Sequence, residues 1–273
     1  MGEPHSPWPR FGFTGSRAAF YAFAGGEAGF WGLIKHSGHK YTAAETPMPE
    51  AKPPAGWEKA MAHMKSKTLV EKAVDIAKNY KTLYVMGCFG SPMTAANKAR
   101  STQNHSYNKA AARAAMIKAA TSDTFGFDCV NLIKGILWGW SGSKIKTYGG
   151  ATYPTTAAIS AGACPDVGAD GMIARCAGVS TTGWTSMVPG EAVWMSGHIG
   201  IYIGDGLAVE CTPKWENKVQ ITAVGNIGAK AGYNTRTWTK HGRIPWVDYS
   251  DHSSGPDTGR HAERGHSKGR PDF

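Results

Sequence analysis

At 273 residues the chain is long enough to bury one sizeable core without help from disulfides. A low charged fraction with many glycines and aromatics suits a globular protein rich in turns and strands, and no apolar run reaches the length of a membrane-spanning helix. The net charge of +10 lies in the middle of the chain, because both ends are balanced, and a basic body attracts polyanions such as nucleic acid, anionic lipid or acidic wall polymers. A soluble basic enzyme without a polyanionic partner fits the charge equally well.

The first 56 residues are rich in Gly, Pro, His and isolated aromatics without a sustained period, and Pro47, Pro49, Pro53 and Pro54 close them, so they read as an N-terminal extension. Within it the apolar patch Ala18 to Ala24 is too short for a convincing signal peptide. The pair His36 and His39 lacks an acidic or thiol partner nearby and reads as two surface histidines. A helical region begins at Trp57, with a capping box Thr68-Leu-Val-Glu71 opening a helix to about Tyr80 whose inward residues are Ala73, Ile76, Ala77 and Tyr80. Leu83 to Gly87 reads as a short strand or extended turn, residues 91 to 107 as loop, and Asn108 to Ala120 as an alanine-rich helix.

The stretch 125 to 140, FGFDCVNLIKGILWGW, organises the rest. Its Phe-Gly-Phe suits a turn, Asp128 is placed to cap a helix, and Cys129, Ile133, Ile136, Leu137 and Trp140 recur at helical spacing. A thiol at a helix start lies in the positive end of the dipole, which favours the thiolate. A lone cysteine is nonetheless more often a small buried hydrophobe. The other cysteines, Cys88, Cys164, Cys176 and Cys211, form no CxxC and no doublet pair of the kind a structural zinc needs, and Cys164 and Cys176 could bridge a loop without their spacing demanding it.

Residues 141 to 168 are turn-rich, and Asp170 is placed to cap a short helix through Cys176. From Pro189 the period changes to that of strands, at 191–195, 198–203, 207–212, 219–224 and 243–249. Helices followed by strands predict an α+β domain over 57–249, and the polar residues 250–273 read as a disordered tail or linker.

The most informative pattern is Gly197 to Thr212. A three-residue turn at Gly204-Asp205-Gly206 pairs Ile203 with Leu207 and Ile201 with Val209. One face is then Ile199, Ile201, Ile203, Leu207, Val209 and Cys211, wholly apolar, which points Cys211 into the core. The other carries His198, Gly200, Tyr202, Ala208, Glu210 and Thr212, with His198 and Glu210 diagonal neighbours. A glutamate that accepts from one imidazole nitrogen fixes the tautomer and leaves the other nitrogen for a thiol proton. With Cys129 these residues suggest a Cys-His-Glu constellation of the triad type, against the simpler reading of a strand histidine and a solvated glutamate.

Four blocks carry a resemblance: Leu83 to Gly87, Phe127-Asp128-Cys129, Pro189 to Trp194, and His198 to Gly206. In this order they resemble the blocks of the NlpC-like cysteine peptidases, over roughly residues 57 to 249. The resemblance implies a papain-like fold, with the nucleophile at a helix N-terminus and helices packed on an antiparallel sheet or half-barrel, and hydrolysis of amide bonds in the stem peptides of bacterial peptidoglycan. It implies Cys129 as nucleophile, His198 as general base, Glu210 as the third polar residue, Tyr84 beside the active site and Asp128 as the acidic residue before the nucleophile. Tyr84 and Asp128 are the candidate substrate contacts. No cofactor or metal is required, and action outside the cytoplasm, as a secreted or phage-released lysin, is expected. Two departures stand out: Val130-Asn131 replaces the usual small Ser-Gly, and a long insertion separates Tyr84 from Cys129, suggesting an extra wall or lid. Cleavage of the muramoyl amide, acyl transfer, or an inactive wall-binding module are the competing expectations. No motif supports specific nucleic-acid binding.

Overall fold

The computed structural model describes residues 63–252. The extension 1–56 with His36 and His39, the start of the expected domain at Trp57, and the tail beyond residue 252 lie outside the described residues. The described elements, in chain order, are β1 (Met64–Lys65), α1 (Ser66–Asn79), β2 (Thr82–Tyr84), β3 (Phe89–Pro92), α2 (Ala95–Asn104), α3 (Ser106–Lys109), α4 (Ala111–Ala119), β4 (Phe125–Phe127) and α5 (Cys129–Leu137). They continue with α6 (Thr156–Ser160), α7 (Ala169–Ile173), β5 (Ala177–Ser180), β6 (Ala192–Met195), β7 (His198–Gly204), β8 (Leu207–Thr212), β9 (Lys218–Val224), β10 (Thr235–Arg236), β11 (Lys240–Arg243) and β12 (Val247–Asp248).

The strand-forming half of the sequence makes a curled seven-stranded half-barrel in the order β10-β9-β8-β7-β6-β11-β5, antiparallel except where β10 joins β9. The α+β class therefore holds. A small sheet, β2-β4-β3, delivers the chain into α5. Apolar stripes of α1 (Leu69, Ala73, Ile76) and α5 (Leu132, Ile133, Ile136) share one core with Ile199, Ile201, Val209 and Cys211 of the sheet. Helix α5 is buried on nearly every side, as its composition of Cys, Val, Leu, Ile and Gly permits. Among the described residues no helix is long and apolar enough to cross a membrane.

Several expectations need correction. Helix α1 starts at Ser66, and Thr68 caps nothing; Asp251, 185 residues downstream of Ser66, accepts from the Ser66 hydroxyl at 2.9 Å and from the Lys67 amide at 3.0 Å. Residues 91 to 107 are largely helix, because Thr94 caps α2 through the Asn97 amide, while the buried Asn97 side chain donates to the Pro92 carbonyl at 2.7 Å. That helix lacks an apolar stripe, so periodicity could not reveal it. The alanine-rich segment breaks at Ala110 into α3 and α4, after the buried Asn108 amide has tied itself to both the N–H and the carbonyl of Met86. The expected last strand splits into β11 and β12 because Pro245 cannot donate to a ladder. In α7 the cap position belongs to Gly168, and Asp170 lies inside the first turn. All five cysteines are free, so Cys164 and Cys176 are not bridged.

The β7–β8 hairpin keeps Ile201 opposite Val209 but closes more tightly than its sequence suggests. Gly204 pairs with Leu207, leaving Ile203 in a bulge, and Asp205 and Gly206 turn the chain with φ of 52° and 71°. Positive φ at both Asp205 and Gly206 matches a two-residue primed turn, and Gly204 before them, with φ of 95°, takes up the bulge. The face bearing His198 and Glu210 is also covered: Met187, Val193, Tyr202, Ala208, Val224 and Trp238 form a second apolar cluster there.

Helix α5 can lie close to β3 because residue 135 has no side chain; a Cβ there would stand 2.7 Å from the backbone oxygen of Phe89. Alanine is about 1 kcal/mol more favourable than glycine in an isolated helix, yet Gly135→Ala should lower stability because the opposing atom is backbone. Urea denaturation checks this, and a gain of stability would show that the helix is not pressed against β3.

Candidate active site

The three-stranded sheet and the cap of α5 fix Cys129. Phe127 pairs with Tyr84 in β2 and with Phe89 in β3, and Asp128 turns out of the strand into the helix. One Asp128 carboxylate oxygen accepts from the Asn131 amide at 2.8 Å, and the other accepts from Gly87 N at 2.7 Å and from the Asn131 side chain at 2.7 Å. Burial raises the Asp128 pKa above the ordinary value, although these donors pull the other way. Both oxygens are therefore engaged within the fold, and Asn131 braces the cap.

Cys129 is only 7% exposed. Burial, followed by the Asp128 carboxylate, pushes its thiol up to about 12, while backbone amides at Ile199, Val130 and Cys129 itself pull it down. The helix start thus does not leave a standing thiolate, as its position alone suggests; desolvation outweighs the amide dipoles.

His198 opens β7, and its Nε2 lies 2.6 Å from Glu210 Oε2. Glu210 is fully buried and accepts three further contacts, from Thr222 Oγ1 at 2.8 Å and from Arg236 Nε at 2.8 Å and 2.7 Å to its two oxygens. Burial raises its pKa, but the hydrogen bonds and charges of His198 and Arg236 prevail and hold it below the ordinary carboxylate value. Glu210 is therefore an anion, not a solvated charge, and Nε2–H of His198 donates to it, leaving Nδ1 free of protein partners among the described residues. The imidazole lies flat against Trp238, ring centroids 5.6 Å apart and planes 6° apart. Arg236 is itself held between Trp215 and Trp238, with centroids 4.8 Å and 5.4 Å from its guanidinium carbon, and donates to Thr212 Oγ1.

Cys129 and His198 approach through the β6–β7 turn: the sulfur stands 4.0 Å from the Gly197 carbonyl, and no hydrogen bond joins it to the imidazole. Asp170 fixes that turn by accepting from Gly197 N and from Trp194 Nε1, both at 2.9 Å. Tyr84 is buried beside the thiol. Burial, then Cys129 and Asp128, push its phenol well up. Arg113 of α4 donates to the Tyr84 carbonyl and to Asn217 Oδ1, which pins α4 to β2 and to the β8–β9 loop. Among the described residues, no group of three His, Cys, Asp or Glu is placed to hold a metal ion.

Arg236, Thr222, Trp238 and Asp170 are the site residues that sequence reasoning missed. The alternation Thr235-Arg-Thr-Trp-Thr239 is the one signal that puts Arg236 and Trp238 on a common face.

Because the folded-state pKa of Glu210 is depressed, its stabilising contribution is complete above the ordinary value of 4.5 and is lost as pH falls below it through the lowered folded value. Glu210→Gln should flatten this acid-side loss and, by leaving Arg236 without its carboxylate, cost about 3 kcal/mol or more at neutral pH. Denaturant titrations of both proteins across the acidic range measure both effects.

No protein-family model matches this chain, and no curated protein matches it.

Proposed function

We propose that the domain is an NlpC-like cysteine peptidase of papain-like fold, hydrolysing an amide bond in the stem peptides of bacterial peptidoglycan outside the cytoplasm. The observation that carries this reading is the His198–Glu210 pair at 2.6 Å, set at the head of the strand whose first turn meets Cys129. An imidazole whose Nε2 proton is committed to an anion presents Nδ1 as the acceptor, the arrangement a thiol nucleophile needs.

With the thiol held up at about 12, Cys129 gives its proton to His198 as attack on the substrate carbonyl begins, instead of waiting as an ion pair. The backbone amides gathered around the start of α5 stabilise the developing oxyanion. The imidazolium, steadied by Glu210, then protonates the leaving amine. Water activated by the same nitrogen hydrolyses the thioester, returning the thiol. Tyr84 lines the nucleophile's side of the cleft, whereas Asp128 acts through the helix cap. The basic surface suits an acidic wall polymer.

A second reading, an inactive wall-binding module, is favoured by the buried thiol and its lack of a hydrogen bond to His198. Incubation with peptidoglycan of several chemotypes, beside Cys129→Ala, separates the two. Release of stem-peptide fragments by the wild type alone, identified by mass, is the expected result. Sedimentation of both proteins with the wall and no soluble product would support the binding module, while masses showing a freed lactyl group or a new acyl–amine bond would move the reaction to the muramoyl amide or to transfer.

A further inference from the structure

A cavity of about 230 Å³ lies between α2, the β2–β3 connection and the loop that follows α5. Its charged wall is Arg100, whose guanidinium carbon stands 4.9 Å over the Tyr148 ring and whose best hydrogen bond, to Ser91 Oγ, is 3.5 Å long. Asn104 and His105 also line it, at the end of the same helix. Tyr148 stacks on Phe89 with centroids 4.7 Å apart, giving the cavity a flat apolar side.

The electrostatics are unbalanced. Arg236 meets Glu210 and Lys134 meets Asp166, while half-buried Arg113, which meets no carboxylate among the described residues, donates to the Tyr84 carbonyl and Asn217 Oδ1. Among the described residues Arg100 forms no ion pair. The acids nearest the cavity wall are committed elsewhere: Asp128 to Gly87 and Asn131, and Asp166 to Lys134 and the Tyr153 hydroxyl. A half-buried guanidinium held by aromatic stacking but short of acceptors has the geometry of a carboxylate fork awaiting its second half.

We propose that this cavity binds a carboxylate carried on a short carbon chain, the carboxylate on Arg100 with Asn104 and His105 as further donors and the carbon chain against Phe89 and Tyr148. The cavity's size limits the bound portion to a small acid or one acidic residue of a peptide. Binding does not depend on the thiol chemistry. The cavity wall is nonetheless the same backbone that caps α5, since Gly87 N donates to the Asp128 carboxylate and Asp128 N donates to the Cys88 carbonyl.

Calorimetric titration of the full chain with glutarate, with an N-acetylglutamate amide, and with inorganic phosphate tests the proposal. At least one carboxylate probe should saturate below about 10 mM and more tightly than phosphate. Arg100→Gln should weaken it by about tenfold or more, and so should Asn104→Asp, which places a resident carboxylate at an exposed position of the cavity wall. Thermal unfolding of both variants confirms that they remain folded. Preference for glutarate identifies a free acid as the source, and preference for the amide identifies a peptide residue. No saturation, equal binding of phosphate, or binding unchanged in both folded variants would overturn it.

Discussion

A carboxylate with no exposed surface, Glu210, holds the centre of this fold together. Burial alone would protonate it. The Arg236 guanidinium, the Thr222 hydroxyl and the His198 ring reverse that preference, and each is held in turn: Arg236 between two indoles, His198 flat on one of them. Removing any one partner leaves a buried charge incompletely solvated, so the cluster acts as a unit. It also ties together β7, β8, β9 and β10, the strands that carry His198, Glu210, Thr222 and Arg236.

The nucleophile's side is built by a different device. Cys129 is fixed by backbone, through the three-stranded sheet, the Asp128 cap and the close approach of Gly135 to β3. The two halves meet at Gly197, whose amide is held by Asp170 and whose carbonyl faces the sulfur. A raised thiol pKa and an imidazole oriented by Glu210 are consistent with each other: proton transfer is deferred to the moment of attack, and the buried sulfur is protected until then.

Much of this was legible in the residues. The Asp128 cap and the helix from Cys129 follow from local chemistry, and the two-residue alternation from His198 to Thr212 puts His198 and Glu210 on one face. What escaped had non-local causes. Asp251 caps α1 from the far end of the domain, and α2 is held by a buried asparagine in place of an apolar stripe. Ile203 slipped into a bulge because β7 runs on to Gly204, and Asp205 and Gly206 alone make the turn. Arg236 lies in a two-residue strand, too short to register, and its role depends on a glutamate 26 positions away.

The central claim is that Glu210 is ionised and holds the Nε2 proton of His198, leaving Nδ1 as the base. Two-bond 1H–15N correlation of the His198 ring in the folded protein at neutral pH tests it most directly. The account predicts a protonated, pyrrole-like Nε2 and an unprotonated, pyridine-like Nδ1. A protonated Nδ1 with bare Nε2, or a ring protonated on both nitrogens, would contradict it.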